Sequence, residues 1–104
     1  MKNLNRVLVA SSLVFALAAA ESAAEGTSQG AALAAEKGCV ACHGQDGVAV
    51  APIYPNLAGQ WKRYLREQLH AYRSGRRQNN VMNGFAAGLS DDEIRLLADH
   101  YGSR

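Results

Sequence analysis

The chain has 104 residues, of which 48% are hydrophobic, and its formal net charge is +2, from 11 Lys and Arg against 9 Asp and Glu. A chain of this length forms one small domain, whose limited core often needs an additional source of stability. The nearly balanced charge excludes the strongly basic profile of a nucleic-acid binder, so we expect no nucleic-acid partner.

The first residues carry the pattern of an export signal. Lys2 and Arg6 precede an apolar run that ends in small residues at Ala20. We predict a signal peptide over residues 1–20, with cleavage after Ala24 as the alternative. The run is short for a membrane-spanning helix, which needs ~20 apolar residues, and an uncleaved anchor is the other reading of this segment.

The remainder divides into a tail and a domain. Cleavage after residue 20 or 24 leaves 84 or 80 of the 104 residues. Residues 21–29 are small and polar and predict a flexible N-terminal tail, and residues 30–104 form the expected domain. A first helix is expected to begin near Ser28, a good N-cap residue, and to continue through an alanine-rich stretch into a motif at residues 39–43.

That motif contains two thiols, Cys39 and Cys42, followed at once by the imidazole of His43. On one helical turn both thiols lie on the same side, where each can add to one vinyl group of a haem. His43 can then supply an axial ligand to the iron. This spacing is the attachment signature of a c-type haem, and such a group would also stabilise a small domain.

Three other uses of the two cysteines are open. An exported protein often contains a disulfide, and a C-x-x-C pair can act as a redox-active dithiol. A zinc site would need a further ligand, for which His70 and His100 are the candidates. Because His43 directly follows the second cysteine, the sequence favours haem over all three.

The middle of the chain predicts a loop and then the clearest helix. Residues 44–59 are punctuated by glycine and proline and have no helical period. A helix is expected from Gln60 to Ser74, closed by Gly75. Its apolar stripe recurs at helical spacing and comprises Trp61, Tyr64, Leu65, Gln68, Leu69 and Tyr72.

The last third predicts a second loop and a final helix. Residues 76–89 are expected to form the loop, which contains Met82. Ser90 and Glu93 form a capping box that starts the final helix. The apolar face of that helix comprises Ile94, Leu97, Ala98 and Tyr101.

Met82 is the candidate for a second axial ligand. Met1 leaves with the signal, so Met82 is the one thioether of the mature chain, and a loop can carry it over the far face of a haem. A thioether ligand raises the reduction potential. The alternative is a methionine that fills a gap in the core. The rival ligands His70 and His100 are expected instead to be ordinary surface or helix-end histidines.

From about residue 30 to residue 101, the chain resembles the class I c-type cytochromes, and among them the small soluble bacterial proteins with one haem. The resemblance implies an all-α cytochrome c fold, with three main helices and loops around one haem c, whose iron is held by His43 and Met82 and whose ring is bound through Cys39 and Cys42. The segments that match are Cys39 to Gly44, Pro55 to Gln60, Tyr64-Leu65, Gln68-Leu69, Tyr72 to Gly75, Met82, Leu89 to Asp91 and Leu97-Ala98.

The resemblance also implies two contacts within the fold. The first and last helices would cross where Gly38 meets Tyr101, since a glycine permits close backbone approach. The carbonyl of Pro55, or alternatively of Pro52, would accept the proton on Nδ1 of His43 and so fix the ring.

The function implied is that of a periplasmic one-electron carrier, and not of an enzyme. Its partners would be redox proteins as donor and acceptor, with peripheral contact to membrane-bound respiratory complexes, and the protein would be a monomer. The alternatives are a haem-bearing subunit of a larger oxidoreductase and a haem protein whose open iron binds a small molecule.

Two further features bear on the haem and on its partners. Basic residues crowd positions 62–77, where they could steer an acidic partner or simply form a solvated helix face. One of Arg76 and Arg77 could pair with a haem propionate. Trp61 and Tyr64 resemble aromatic residues that pack near a haem edge, and core filling is their simpler role.

Overall fold

A computed structural model describes residues 28–104. The predicted signal peptide, 1–20, lies outside the described residues, and so does most of the predicted tail. Residues 28–36 form the first helix (α1), so the last two residues assigned to the tail are already helical.

Four more helices follow α1 in the described residues, and no β-strand occurs there. They are α2, Val40–His43; α3, Lys62–Ser74; α4, Met82–Ala87; and α5, Asp91–Gly102. The three longer helices, α1, α3 and α5, confirm the all-α architecture with three main helices. Between residues 28 and 104, no helix is long and apolar enough to span a membrane.

The first helix was expected to continue into the cysteine motif, but it ends before the motif, so this expectation was wrong. Gly38 adopts a positive φ of 82° and ends α1. The N–H of Gly38 donates to the carbonyl of Ala35 (3.2 Å), and that of Cys39 donates to the carbonyl of Ala34 (2.9 Å). These two bonds form a Schellman motif, which glycine enters at little cost. The motif therefore starts on a separate turn, α2.

The central helix confirms its predicted extent and its end. α3 begins at Lys62, two residues after the predicted start, and ends where Gly75 takes a left-handed conformation with φ 81°. Trp61, just before the helix, is 82% exposed, so the role of core filling assigned to it was wrong. Leu65 and Ala71 are the buried residues of this helix.

The segment 76–89 is not a loop throughout, because it contains α4. The side-chain oxygen of Asn79 accepts hydrogen bonds from the N–H groups of Val81 and Met82, both at 2.9 Å, and so starts the helix. Glycine at position 84 lowers the helix signal of this short segment. The sequence pattern therefore hid a helix that begins at Met82.

The capping box that starts the last helix is confirmed. Oγ of Ser90 accepts from the N–H of Glu93 (3.1 Å), and Oε1 of Glu93 accepts from the N–H of Ser90 (3.0 Å). This backbone hydrogen bond lowers the pKa of the Glu93 carboxyl. All four residues of the predicted apolar face are buried, namely Ile94, Leu97, Ala98 and Tyr101.

Arg73 fastens the end of α3 to the start of α5. Its guanidinium donates to the carbonyl of Leu89 (2.9 Å) and to Oδ1 of Asp91 (2.6 Å). The hydrogen bond and the charge of Arg73 lower the pKa of the Asp91 carboxyl. The two contacts therefore link the two ends of the segment that carries Met82.

The close approach between the first and last helices occurs at Gly30, and not at Gly38. A Cβ on Gly30 would come within 2.5 Å of the Leu96 carbonyl oxygen and within 2.7 Å of Cβ of His100. A Cβ on Gly38 would instead meet Phe85 at 3.2 Å. The predicted pairing of Gly38 with Tyr101 was therefore wrong, although a glycine does permit the crossing.

We expect Gly30→Ala to destabilise the protein, because the added methyl group has no space between α1 and α5. Overpacking of this kind costs about 1–3 kcal/mol, which urea unfolding of the haem-containing protein would measure. Gly84→Ala is the matched control, since nothing lies within 4 Å of its added Cβ. A Gly30→Ala protein as stable as the control would contradict the crossing described here.

Candidate haem site

The two thiols lie on one helical turn, as the sequence predicts. Cys39 caps α2 in a helical conformation (φ −58°, ψ −38°), and its carbonyl accepts from the N–H of His43 at 3.0 Å. Within residues 28–104 neither Cys39 nor Cys42 forms a disulfide, and both side chains are partly buried.

His43 ends this turn and is held in one orientation. Its ring is buried, and Nδ1 donates a hydrogen bond to the carbonyl of Pro55 at 2.9 Å. Pro55, and not Pro52, therefore makes the contact that the resemblance implies. With the proton on Nδ1, the lone pair of Nε2 can bind a metal.

The loop after α2 folds back on itself and brings Pro55 to His43. The carbonyl of Gly47 accepts from the N–H groups of Leu57 (2.7 Å) and Ala58 (3.0 Å). A Cβ on Gly47 would lie 2.6 Å from the backbone nitrogen of Ala58, and its φ is 82°. Only glycine fits such a turn, which explains the dense punctuation of this segment.

Two cavities adjoin the cysteine motif and share part of their lining. The first, called the larger cavity, holds about 810 Å³ of empty space and the second, called the smaller cavity, about 750 Å³, in both cases including space open to solvent. The shared lining comprises Cys39, His43, Pro55, Tyr72 and Met82.

The apolar stripe of α3 faces the larger cavity, so the sequence pattern marks the site as well as the core. Leu97, Ala98 and Tyr101 of α5 form another part of the lining. Tyr101 also donates from its hydroxyl to the carbonyl of Gly44 at 2.9 Å, and burial raises its pKa to about 12. The residues of α3 in this lining are Tyr64, Leu65, Gln68, Leu69 and Tyr72.

Of the two neighbouring arginines, Arg77 lines the larger cavity. Its Nη1 donates to Oε1 of Gln68 at 2.6 Å, and its guanidinium lies 4.8 Å from the centre of the Tyr72 ring. Arg76 bonds instead to the hydroxyl of Ser74, at 3.3 Å from Nε. Among residues 28–104, Arg77 is therefore the only Lys or Arg that lines this cavity.

Met82 and His43 line both cavities, so the structure brings the two predicted ligands to one site. An imidazole nitrogen and a thioether sulfur are soft or intermediate donors, which suit iron and not Mg²⁺ or Ca²⁺. Two thiols at the edge of an apolar cavity suit attachment of a large apolar ring. The residues present therefore fit a haem.

The rival histidines lie elsewhere, and neither lines either of the two cavities described above. His70 accepts at Nδ1 from Arg73 (3.0 Å) and lies 4.0 Å from Asp91. His100 is only 1% exposed, and its Nε2 bonds to the carbonyl of Gln45 at 2.9 Å. It is therefore not a surface histidine, but it lies in the last turn of α5, which agrees with the helix-end alternative.

The described residues do not support the zinc alternative. No group of three or more His, Cys, Asp and Glu side chains that could hold a metal ion occurs within residues 28–104. His70 and His100, the proposed further zinc ligands, take part in the separate contacts given above.

Sequence reasoning missed Asn79 and Asn83, which surround the backbone of Met82. Asn79 bonds to the N–H of Met82, and Asn83 bonds to carbonyl groups at the end of α3. Asparagine three residues before a candidate ligand is a helix N-cap signal that could have revealed the first contact. The second contact joins distant parts of the chain and has no local signal.

Comparison with known families identifies the class of the protein. The family model for cytochrome c matches residues 27–100. The chain therefore belongs to the cytochrome c family, and its cofactor is haem c, covalently bound and containing iron. These matches support a haem c electron carrier.

Individual relatives place the chain more narrowly. It is 49% identical to cytochrome c-554(548) of Halomonas halodenitrificans over 69 residues, which cover 64% of this chain and 83% of the relative. It is 39% identical to cytochrome c4 of Pseudomonas aeruginosa over 101 residues, which cover 97% of this chain and 49% of the relative.

A solved structure agrees with these relatives. Cytochrome c4 of Acidithiobacillus ferrooxidans superposes with a TM-score of 0.69 and 30% identity, covering 76% of this chain and 49% of that chain. The chain thus spans about half the length of these two cytochrome c4 proteins.

Proposed function

We propose that the protein is a periplasmic one-electron carrier whose haem iron is bound by His43 and Met82. The observation that carries this proposal is that these two side chains line the same pair of cavities, with Cys39 in both linings. Cys39 and Cys42 would hold the ring through two thioether bonds. When bound, the haem supplies the Fe(III)/Fe(II) couple.

The residues of the chain then fix the ligands and exclude water. The hydrogen bond from His43 to the Pro55 carbonyl holds the imidazole in one tautomer and orientation. The lining from α3 and α5 is largely apolar, which keeps solvent from the ring. Two protein ligands leave no position for a substrate, which supports a carrier and not an enzyme.

We propose redox proteins as electron donor and acceptor, with peripheral contact to membrane-bound respiratory complexes and a monomeric carrier. Two of the four Lys and Arg residues of α3 are paired, Arg63 with Glu67 (3.1 Å) and Arg73 with Asp91 (2.6 Å), which reduces the charge that this helix offers for steering. Arg77 is the arginine that we propose as partner of a haem propionate, because it lines the larger cavity.

A haem-bearing subunit of a larger oxidoreductase is the second candidate. A relative whose name describes such a subunit favours it, since the chain is 32% identical over 65 residues to the cytochrome subunit of sulfide dehydrogenase of Chlorobaculum tepidum.

The test is a spectrum and a redox titration of the full chain after export and haem attachment. We expect a low-spin haem with one reversible one-electron step. The oxidised form should show the weak long-wavelength band that marks thioether sulfur on ferric iron. A high-spin oxidised spectrum would contradict ligation by Met82, and stable co-purification with enzyme subunits would favour the second candidate.

A further inference from the structure

The helix that begins at Met82 depends on side-chain hydrogen bonds for its start. Oδ1 of Asn79 accepts from the N–H of Val81 and from the N–H of Met82, both at 2.9 Å. α4 has only six residues, Met82–Ala87. A helix of this length has little stability of its own, because nucleation is costly and few internal bonds follow.

A second asparagine ties this helix start to the end of α3. Nδ2 of Asn83 donates to the carbonyl of Tyr72 (2.9 Å) and to the carbonyl of Arg77 (2.8 Å). Oδ1 of Asn83 accepts from the N–H of Asn79 at 2.7 Å. The bond to the Tyr72 carbonyl is partly buried and so meets less competition from water, whereas the other two bonds are exposed.

The two asparagines therefore lie on either side of Met82 and support each other. One holds the N–H of Met82, and the other fixes the first asparagine and anchors the turn to α3. We propose that Asn79 and Asn83 are positioning residues that keep the Met82 thioether at the iron. This role rests on the proposed ligation by His43 and Met82.

The two side chains use different chemistry, which makes the role testable. Towards residues 28–104, Asn79 bonds only through its oxygen, as an acceptor. Asn83 uses its amino group to donate to two carbonyls. An ionised aspartate accepts hydrogen bonds but donates none. Asn79→Asp therefore preserves its bonds, whereas Asn83→Asp loses two bonds and places a negative oxygen near two carbonyls.

The experiment compares three substitutions in the haem-containing full chain: Asn79→Asp, Asn83→Asp and Asn80→Asp. Asn80 is exposed and enters none of these bonds, so it controls for the added negative charge. Imidazole is titrated into the oxidised protein, and the concentration that displaces Met82 is read from the loss of the long-wavelength band. We expect Asn83→Asp to need about tenfold less imidazole, and the other two to stay within about twofold of wild type.

Asn79→Ala supplies a second test that does not depend on Asn83→Asp maturing with haem. It removes both acceptor bonds, so we expect a severalfold lower imidazole concentration, which Asn79→Asp restores to the wild-type value. Equal midpoints for Asn79→Ala and Asn79→Asp would overturn the proposal.

The remaining outcomes separate this role from the proposed function. If wild type shows the band and Asn83→Asp has the midpoint of Asn80→Asp, the positioning role is overturned and ligation by Met82 stands. If all three aspartate variants shift together, the cause is charge, and the role is likewise overturned. If wild type lacks the band, ligation by Met82 fails and the positioning role fails with it.

Discussion

Replacing both thiols, Cys39→Ala with Cys42→Ala, is expected to abolish covalent haem attachment completely. The chain has only these two cysteines, and both lie on the turn beside the cavities. Mass spectrometry of the exported product should give the mass of the polypeptide alone. Any pigment that co-purifies should pass into acidified organic solvent, because only non-covalent contacts would retain it.

Two controls keep this result specific. Each single variant, Cys39→Ala or Cys42→Ala, retains one thiol and is expected to keep one thioether bond, so some pigment stays with the polypeptide. Wild type should carry the added mass of a haem. A wild-type product that weighs no more than its amino acids would contradict attachment and would favour the disulfide or dithiol use of the cysteines.

The double variant is also expected to lose most of its folded structure. Within residues 28–104, the largest fully buried side chains are Ile94 and His100, and four of the nine buried hydrophobic residues are alanines. Such a core buries little apolar area, and a small domain of this kind depends on an additional source of stability, such as a covalently bound haem. Circular dichroism of the double variant, compared with wild type, would show this loss as reduced helix content.

Local signals explain which parts of this fold follow from the sequence. The α3 stripe recurs at helical spacing, and the Ser90–Glu93 capping box is a contact between residues three apart. Gly75 ends α3 through its own backbone conformation. Features of this kind depend on neighbouring residues alone, so the two longest helices could be predicted.

Other parts depend on distant contacts and could not be read from the pattern. Gly30 and Gly38 both precede the cysteine motif, and only the crossing register of α1 and α5 decides which one meets the last helix. His100 is buried because it packs behind Gly30 and bonds to Gln45, far away in the sequence. α4 forms because Asn79 and Asn83 supply its missing hydrogen bonds.

In the candidate haem site, too, some features have a local sequence signal and others depend on distant contacts. The spacing of Cys39, Cys42 and His43 is a local signal that carries its own chemistry. Met82 was predicted as a ligand because the mature chain has no other thioether. This argument identifies the residue, but it does not predict the contacts around it. The Pro55 contact was implied by the family resemblance alone, since a backbone carbonyl leaves no trace in a sequence.

Met82→Ala is expected to open one side of the iron and to lower the reduction potential. A thioether favours Fe(II), so its removal favours Fe(III), and axial ligands control a span of roughly 0.8 V. We expect a fall on the order of 0.1 V or more, measured by redox titration. The long-wavelength band of the oxidised form should vanish, and carbon monoxide or imidazole should bind without having to displace a protein ligand.

Val81→Ala is the matched control for this substitution. Val81 precedes Met82 and lines the smaller cavity, so its truncation removes an apolar contact without removing a ligand. Its band and potential should stay close to those of wild type, which separates loss of the sulfur from loss of an apolar neighbour. If Met82→Ala keeps the wild-type spectrum and potential, Met82 only fills space in the cavity, and the iron takes its second ligand from another group.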